Sequence, residues 1–178
     1  MLQYGWLVTA VIAAILLTMW VTFTLTRLDR LHARVDAAWA ALDAQLVRRA
    51  AALQHAADTP DSGLPAAERA RYEAVAATAV NQTDAWLRPE AENAVGRAVL
   101  DLMRRDHVSA PGRDELADTA ARVMIARRFY NDAVRDTRTL RARRMPRLLH
   151  LAGHRAMPQF FDIDDTVPNA EPPEPAGH

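Results

Sequence analysis

Three groups of side chains have the types and spacing to do chemistry. His150 and His154 stand four residues apart, which on a helix puts two imidazoles on one face, and Asp162, Asp164 and Asp165 follow. Such a set can hold zinc. Against that reading, Gly153 weakens the helix between the histidines, no H-E-x-x-H acid accompanies them, and the carboxylates open a Pro-rich terminal stretch. No metal site and no cofactor are therefore expected.

The second group is Trp39, Asp43 and Gln45 on one helical stretch, with Tyr130 and Asn131 on another. If the two stretches pair, these residues either line a groove for a ligand or partner, or form a buried polar network that fixes helix register. The absence of a nucleophile and base among them favours the network. The third group is Arg138, Arg141, Arg143, Arg144, Arg147 and Arg155, interleaved with Leu140, Leu148, Leu149 and Leu151 and free of acids. It reads either as a patch for an anionic leaflet, where each basic residue gains about 1 kcal/mol, or as a set of partners for acidic side chains nearby.

Elsewhere the chain offers little to a catalyst. Cysteine is absent, so there is no thiolate nucleophile, thiolate metal site or disulfide. No glycine-rich phosphate loop, serine elbow or paired carboxylate site is visible, and a noncatalytic role is expected. With 22 basic and 22 acidic residues the net charge is zero, so no global field draws the chain to nucleic acid, and none is expected as a partner. Asn81-Gln82-Thr83 matches the glycosylation triplet but reads as a helix-surface coincidence.

The elements that carry these residues begin with residues 2–26, which contain no charged side chain. At 1.5 Å per residue, about 25 residues exceed the roughly 30 Å hydrocarbon core of a bilayer. Tyr4, Trp6 and Trp20 sit where aromatic side chains favour the interface, and Arg27 ends the apolar run. No basic residue precedes the run and no small-x-small site follows it, so an uncleaved anchor is expected rather than a signal peptide. Arg27, Arg30 and Arg34 put the basic flank after the span, which predicts a single pass with the N-terminus outside and the remainder cytoplasmic.

Beyond the span, Leu28, Leu31, Val35, Trp39, Leu42, Leu46, Ala50 and Leu53 recur every three or four residues as one stripe of an amphipathic helix. No Pro or Gly falls between Gly5 and Pro60, so one rod is expected to run from the span to the turn cluster at residues 58–63. A second helix is expected over about 65–86, with Tyr72, Val75, Ala79 and Trp86 inward, and Pro89 as a boundary. A third follows over about 90–105. Ser109-Ala110-Pro111-Gly112 reads as a breaker before a long fourth helix over about 113–144, carrying Leu116, Ala120, Val123, Tyr130 and Val134 on one face. Nothing alternates with period two, so no sheet is expected.

The expected fold is all-α: an N-terminal transmembrane helix followed by an antiparallel four-helix bundle with long first and last members. The abundant Ala implies close helix approach and a thin core, to which the four Trp and three Tyr would supply much of the large apolar surface. The expected organisation is an anchor at 1–26, a bundle at 27–161, and an acidic, Pro-rich disordered tail at 162–178.

Residues 34–50, R-V-D-A-A-W-A-A-L-D-A-Q-L-V-R-R-A, resemble the first long helix of the LemA family of bacterial membrane proteins. Val35, Ala38, Trp39, Leu42, Asp43, Gln45, Leu46, Arg48 and Arg49 match its V-x-x-A-W-x-x-L-D-x-Q-L-x-R-R pattern in register. A second block, Ala126, Arg127, Tyr130 and Asn131, matches the family's A-R-x-x-Y-N near the middle of its last long helix. The family's D-L-x-P-N-L stretch is replaced here by Ala51-Ala52-Leu53-Gln54-His55-Ala56, and its Glu-Asn pair by Ala120-Ala121, as in a divergent member. The resemblance implies a membrane-attached four-helix bundle with a cytoplasmic body and supplies no agreed activity. The function it leaves is an adaptor for a membrane or cytoplasmic protein, alone or as a homo-oligomer. The alternative is a module that transmits a signal through the anchor helix.

Overall fold

The computed structural model describes residues 4–59, 62–105, 108–142 and 156–164. Four helices make up the described structure: α1 Gly5–Asp58, α2 Ala66–Asn81, α3 Arg88–Met103 and α4 Ala110–Ala142. No strand occurs among the described residues. The chain divides into two compact units, one formed by Met1–Ala38 and Tyr130–Phe160, the other by Trp39–Phe129 and Phe161–His178.

The rod expected from the spacing of Pro and Gly is present. α1 runs 54 residues without a break, about 80 Å at 1.5 Å per residue. It stops at Asp58, and Gly63, with φ of 60°, takes the left-handed conformation that lets the chain turn. Within the first unit, α1 leaves Trp6, Val11, Ile12, Ile15, Leu17 and Phe23 exposed, then buries Leu28, His32 and Val35. Thr9, Thr18, Thr22, Thr24 and Thr26 each donate a hydroxyl to the carbonyl four residues earlier, at 2.8–3.0 Å. One helix is thus long and apolar enough to cross a membrane.

In the second unit α2 and α3 pack against each other. Their core, with the end of α1 and the start of α4, is built of small side chains: Ala50, Ala56, Ala76, Ala79 and Ala98 beside Leu53, Val95, Val99, Leu102 and Leu116. Tyr72 is the largest fully buried side chain. The aromatic share of the core is smaller than the sequence suggested. Trp6, Trp20 and Trp86 are all exposed, and Trp39 is half-buried.

Two helix boundaries differ from expectation, each for a reason of capping. α2 ends at Asn81, not near Trp86, because Asp84 closes a separate turn ahead of α3: its carboxylate accepts from the Trp86 N–H at 2.8 Å and its carbonyl from the Leu87 and Arg88 N–H groups. Pro89 then falls inside the first turn of α3, where its missing N–H costs nothing. α4 begins at Ala110, with Ser109 as its cap. The Ser109 hydroxyl accepts from the Gly112 N–H and its carbonyl from the Arg113 N–H. Pro111-Gly112 is therefore a first turn and not a breaker. The Asn81 side chain donates to the Ala77 carbonyl at the end of α2.

Candidate functional site

The first family-like block lies along α1. Val35, Leu42 and Leu46 are buried, Ala38, Trp39, Asp43 and Gln45 are half-buried, and Arg48 faces solvent. Arg49 is the exception among its charged residues, with a side chain 5% exposed. It lies on the phase of Leu42, Leu46 and Leu53, so the helix that buries those leucines buries the guanidinium too.

Arg49 is met by Glu92 of α3, whose side chain is 1% exposed. One guanidinium nitrogen donates to the Glu92 carboxylate at 3.0 Å and to its backbone carbonyl at 2.8 Å. The other carboxylate oxygen of Glu92 accepts from Arg88 Nε at 2.9 Å, one turn earlier. Arg88 in turn reaches Asp43 at 2.8 Å and the Gln82 carbonyl at 3.1 Å. Asp43, Arg88, Glu92 and Arg49 thus alternate in sign and cancel, tying α1 to α3. Withdrawing Arg49, Glu92 and Arg88 from water is tolerable only when they are paired and hydrogen-bonded in this way, with Asp43 at the solvent edge of the cluster. The arrangement fixes the register of α1 against α3.

The second block lies on α4, where Ala126, Arg127 and Asn131 are half-buried and Tyr130 is buried. In the first unit the Tyr130 hydroxyl donates to the Gln159 carbonyl at 2.8 Å. Burial is the main reason its phenol is held above its ordinary value, with the Asp36 carboxylate adding to the effect. Residues 159–164 supply partners for other residues of the two blocks as well. In the second unit Phe161 meets Trp39 edge-on, with centroids 5.5 Å apart, and Asp162 lies 3.5 Å from Arg127. The Asp164 N–H donates to the Asn93 side chain at 2.8 Å. Asp162 and Asp164, placed by the sequence in the tail, are thus part of the packed structure.

Of the basic cluster, Arg138 stacks over the Phe160 ring at 5.1 Å and Arg141 donates to the Ala156 carbonyl. Arg143, Arg144, Arg147 and Arg155 lie outside the described residues, as do His150, His154 and Asp165 of the zinc set. Among the described residues no three His, Asp or Glu gather as metal ligands do. A cavity of about 190 Å³ beside the α4 N-terminus is lined by His55, Thr59, Ser62, Ser109 and Glu115. Its hydroxyls are spent on backbone: Thr59 donates to His55, Ser62 donates to Ala57, and Ser109 accepts from Gly112.

Glu92 and Arg88 belong to none of the three groups that residue type and spacing single out. A signal was there. Glu92 precedes Val95, Val99 and Leu102 by three, seven and ten residues, in phase with the apolar stripe of α3. Comparison with protein-family models, with curated proteins and with solved structures finds no match to the chain.

Proposed function

We propose that the chain is a noncatalytic scaffold anchored in the cell membrane, whose helices form an antiparallel four-helix bundle that presents its surface to a protein partner on the cytoplasmic side. α1 carries this reading. A single uninterrupted helix leaves apolar side chains exposed near its N-terminus and buries Leu42, Leu46 and Leu53 farther along. Exposed apolar side chains over that length need a solvent other than water. The two blocks shared with the LemA pattern support the same class, as a divergent member with the N-terminus outside. The Asp43–Arg88–Glu92–Arg49 cluster, in which each charge meets an opposite one, favours a structural role over a catalytic one.

The basic cluster at 138–155 is proposed to rest on the anionic inner leaflet, with homo-oligomers compatible with such an adaptor. The unbroken α1 also suits a module that transmits a change from the span; a Gly-Pro insertion after Arg27 separates the two, since a passive scaffold keeps its partner and a transmitter loses its output.

The chain has no cysteine, so topology is testable with single introduced ones. Asp58→Cys should react with a membrane-impermeant maleimide only after the cells are permeabilised, and carbonate should fail to extract the protein. Labelling of Asp58→Cys in intact cells would overturn the orientation, and carbonate extraction would overturn the anchor.

A further inference from the structure

The last described residues lie in the second unit as a ligand lies in a groove. Burial alternates along them: Phe161 is 4% exposed and Ile163 6%, whereas the Asp162 side chain is 95% exposed and Asp164 faces outward. Alternation of period two is what an extended chain shows when laid on a surface. Three of the four positions meet a complementary side chain. Trp39 on α1 offers an aromatic edge to Phe161, Arg127 on α4 a cation to Asp162, and Asn93 on α3 an acceptor for the Asp164 N–H. Gly96, one turn along α3 from Asn93, lies beneath the segment, where a Cβ would meet the Asp164 carbonyl at an ordinary 3.9 Å.

We infer that this groove is a docking site for an extended partner segment reading aromatic, acidic, aliphatic, acidic, and that the chain's own residues 161–164 occupy it as a competitor in cis. The inference rests on the scaffold reading and names the chemistry of the partner. Two observations favour a displaceable occupant. The segment is neither helix nor strand, so it brings no ladder of backbone bonds. Its ion pair is long and solvated, which makes it weak. Its two apolar side chains and the Asp164 N–H are features that any segment of the same pattern reproduces. Recognition should accordingly depend little on salt and strongly on the aromatic position.

The test uses the full chain in lipid nanodiscs, with a protease site inserted between Gly153 and His154. After cutting, it is titrated with a fluorescein-labelled peptide of residues 156–178. Anisotropy should rise saturably on the cut chain, and at least tenfold more weakly on the uncut one, because a tethered competitor acts at an effective concentration on the order of mM. Phe161→Ala in the peptide should weaken binding at least tenfold, and Asp162→Ala less than threefold. A peptide with Phe161→Tyr, Asp162→Glu, Ile163→Leu and Asp164→Glu should compete, and a scrambled one should not.

A flat titration on a cut chain that keeps its helical signal overturns the inference, as does equal binding of the Phe161→Ala peptide or failure of the conservative peptide to compete. Should cutting reduce the helical signal, excess peptide must restore it; no restoration overturns the inference too. Exchange of the segment between differently tagged uncut copies would give the groove to a second copy and overturn the assignment to another protein. Maleimide labelling of Asp58→Cys is unaffected by any of these outcomes, so the groove and the anchored scaffold fail separately.

Discussion

Arg49 grips Glu92 twice, through the carboxylate at 3.0 Å and through the backbone carbonyl at 2.8 Å, with both side chains almost wholly withdrawn from solvent. The double grip makes the pair sensitive to both the charge and the position of α3. Removing Glu92 leaves Arg49 as an uncompensated buried charge, so Glu92→Ala should destabilise the protein by about 3–5 kcal/mol. Arg49→Ala should cost less, because Glu92 keeps its ion pair with Arg88. Arg49→Met with Glu92→Leu should recover most of that loss. Urea unfolding followed by helical signal checks it; an additive double variant would contradict the pairing.

Tyr72 and Asp101 set a pH dependence with a definite sign. The Tyr72 hydroxyl donates to the Asp101 carboxylate at 2.7 Å. That hydrogen bond, and after it the charges of Arg105 and Arg71, hold the carboxyl below its ordinary 3.8. The unfolded chain therefore takes up a proton first as pH falls, so this contribution is complete above about pH 5 and drains as pH drops through 3.8 and below. Tyr72→Phe should flatten the acid limb of a stability–pH profile.

On the alkaline side the sign reverses. Burial, aided by Asp101, raises the Tyr72 phenol above its ordinary 10.0, and burial does the same for Tyr130. The folded state keeps these protons after the unfolded chain has lost them, so stability is whole below pH 10 and falls as pH climbs past it. Absorbance at the phenolate band should show Tyr72 and Tyr130 ionising only above pH 10.

Tyr130→Phe deletes the hydroxyl that reaches the Gln159 carbonyl. The acceptor lies on an exposed residue and can turn to water, so the cost should be about 1 kcal/mol. That corresponds to a drop of roughly 2–4 °C in the melting temperature for a chain of this size. An unchanged melt would show that residues 156–160 gain nothing from the contact.

Two glycines should respond in opposite ways to alanine. At Gly96 a new Cβ would find its nearest neighbours, Arg49 and Asp164, at 3.8 and 3.9 Å, so Gly96→Ala should gain up to about 1 kcal/mol of helix propensity. At Gly63, with φ of 60°, Gly63→Ala should cost about 1–2 kcal/mol. Thermal melts of the two variants should move in opposite directions.

Much of this fold was written in spacing. The stripe from Leu28 to Leu53, with no Pro or Gly between Gly5 and Pro60, marked α1 to its last turn. Capping was harder to read, because Pro89 and Pro111 look like breakers until the oxygens of Asp84 and Ser109 are seen accepting the N–H groups that follow. Trp86 shows a further limit, since the periodicity of α2 extended to a residue that a new cap had already turned outward. The Arg49–Glu92 pair was legible only in part. Each charge lay on its own apolar stripe, but nothing local says that the two stripes meet. The groove around Phe161 was the least visible, for complementarity between Trp39, Asn93 and Arg127 depends on three helices that only folding assembles.

The threonines of α1 bear on what surrounds the span. Each hydroxyl has one proton, and in Thr9, Thr18, Thr22, Thr24 and Thr26 it is already committed to the helix's own backbone. A helix packed against this apolar stretch would find no threonine proton on offer, only threonine oxygens that accept, and would have to bring its own donors or use the indole N–H groups of Trp6 and Trp20.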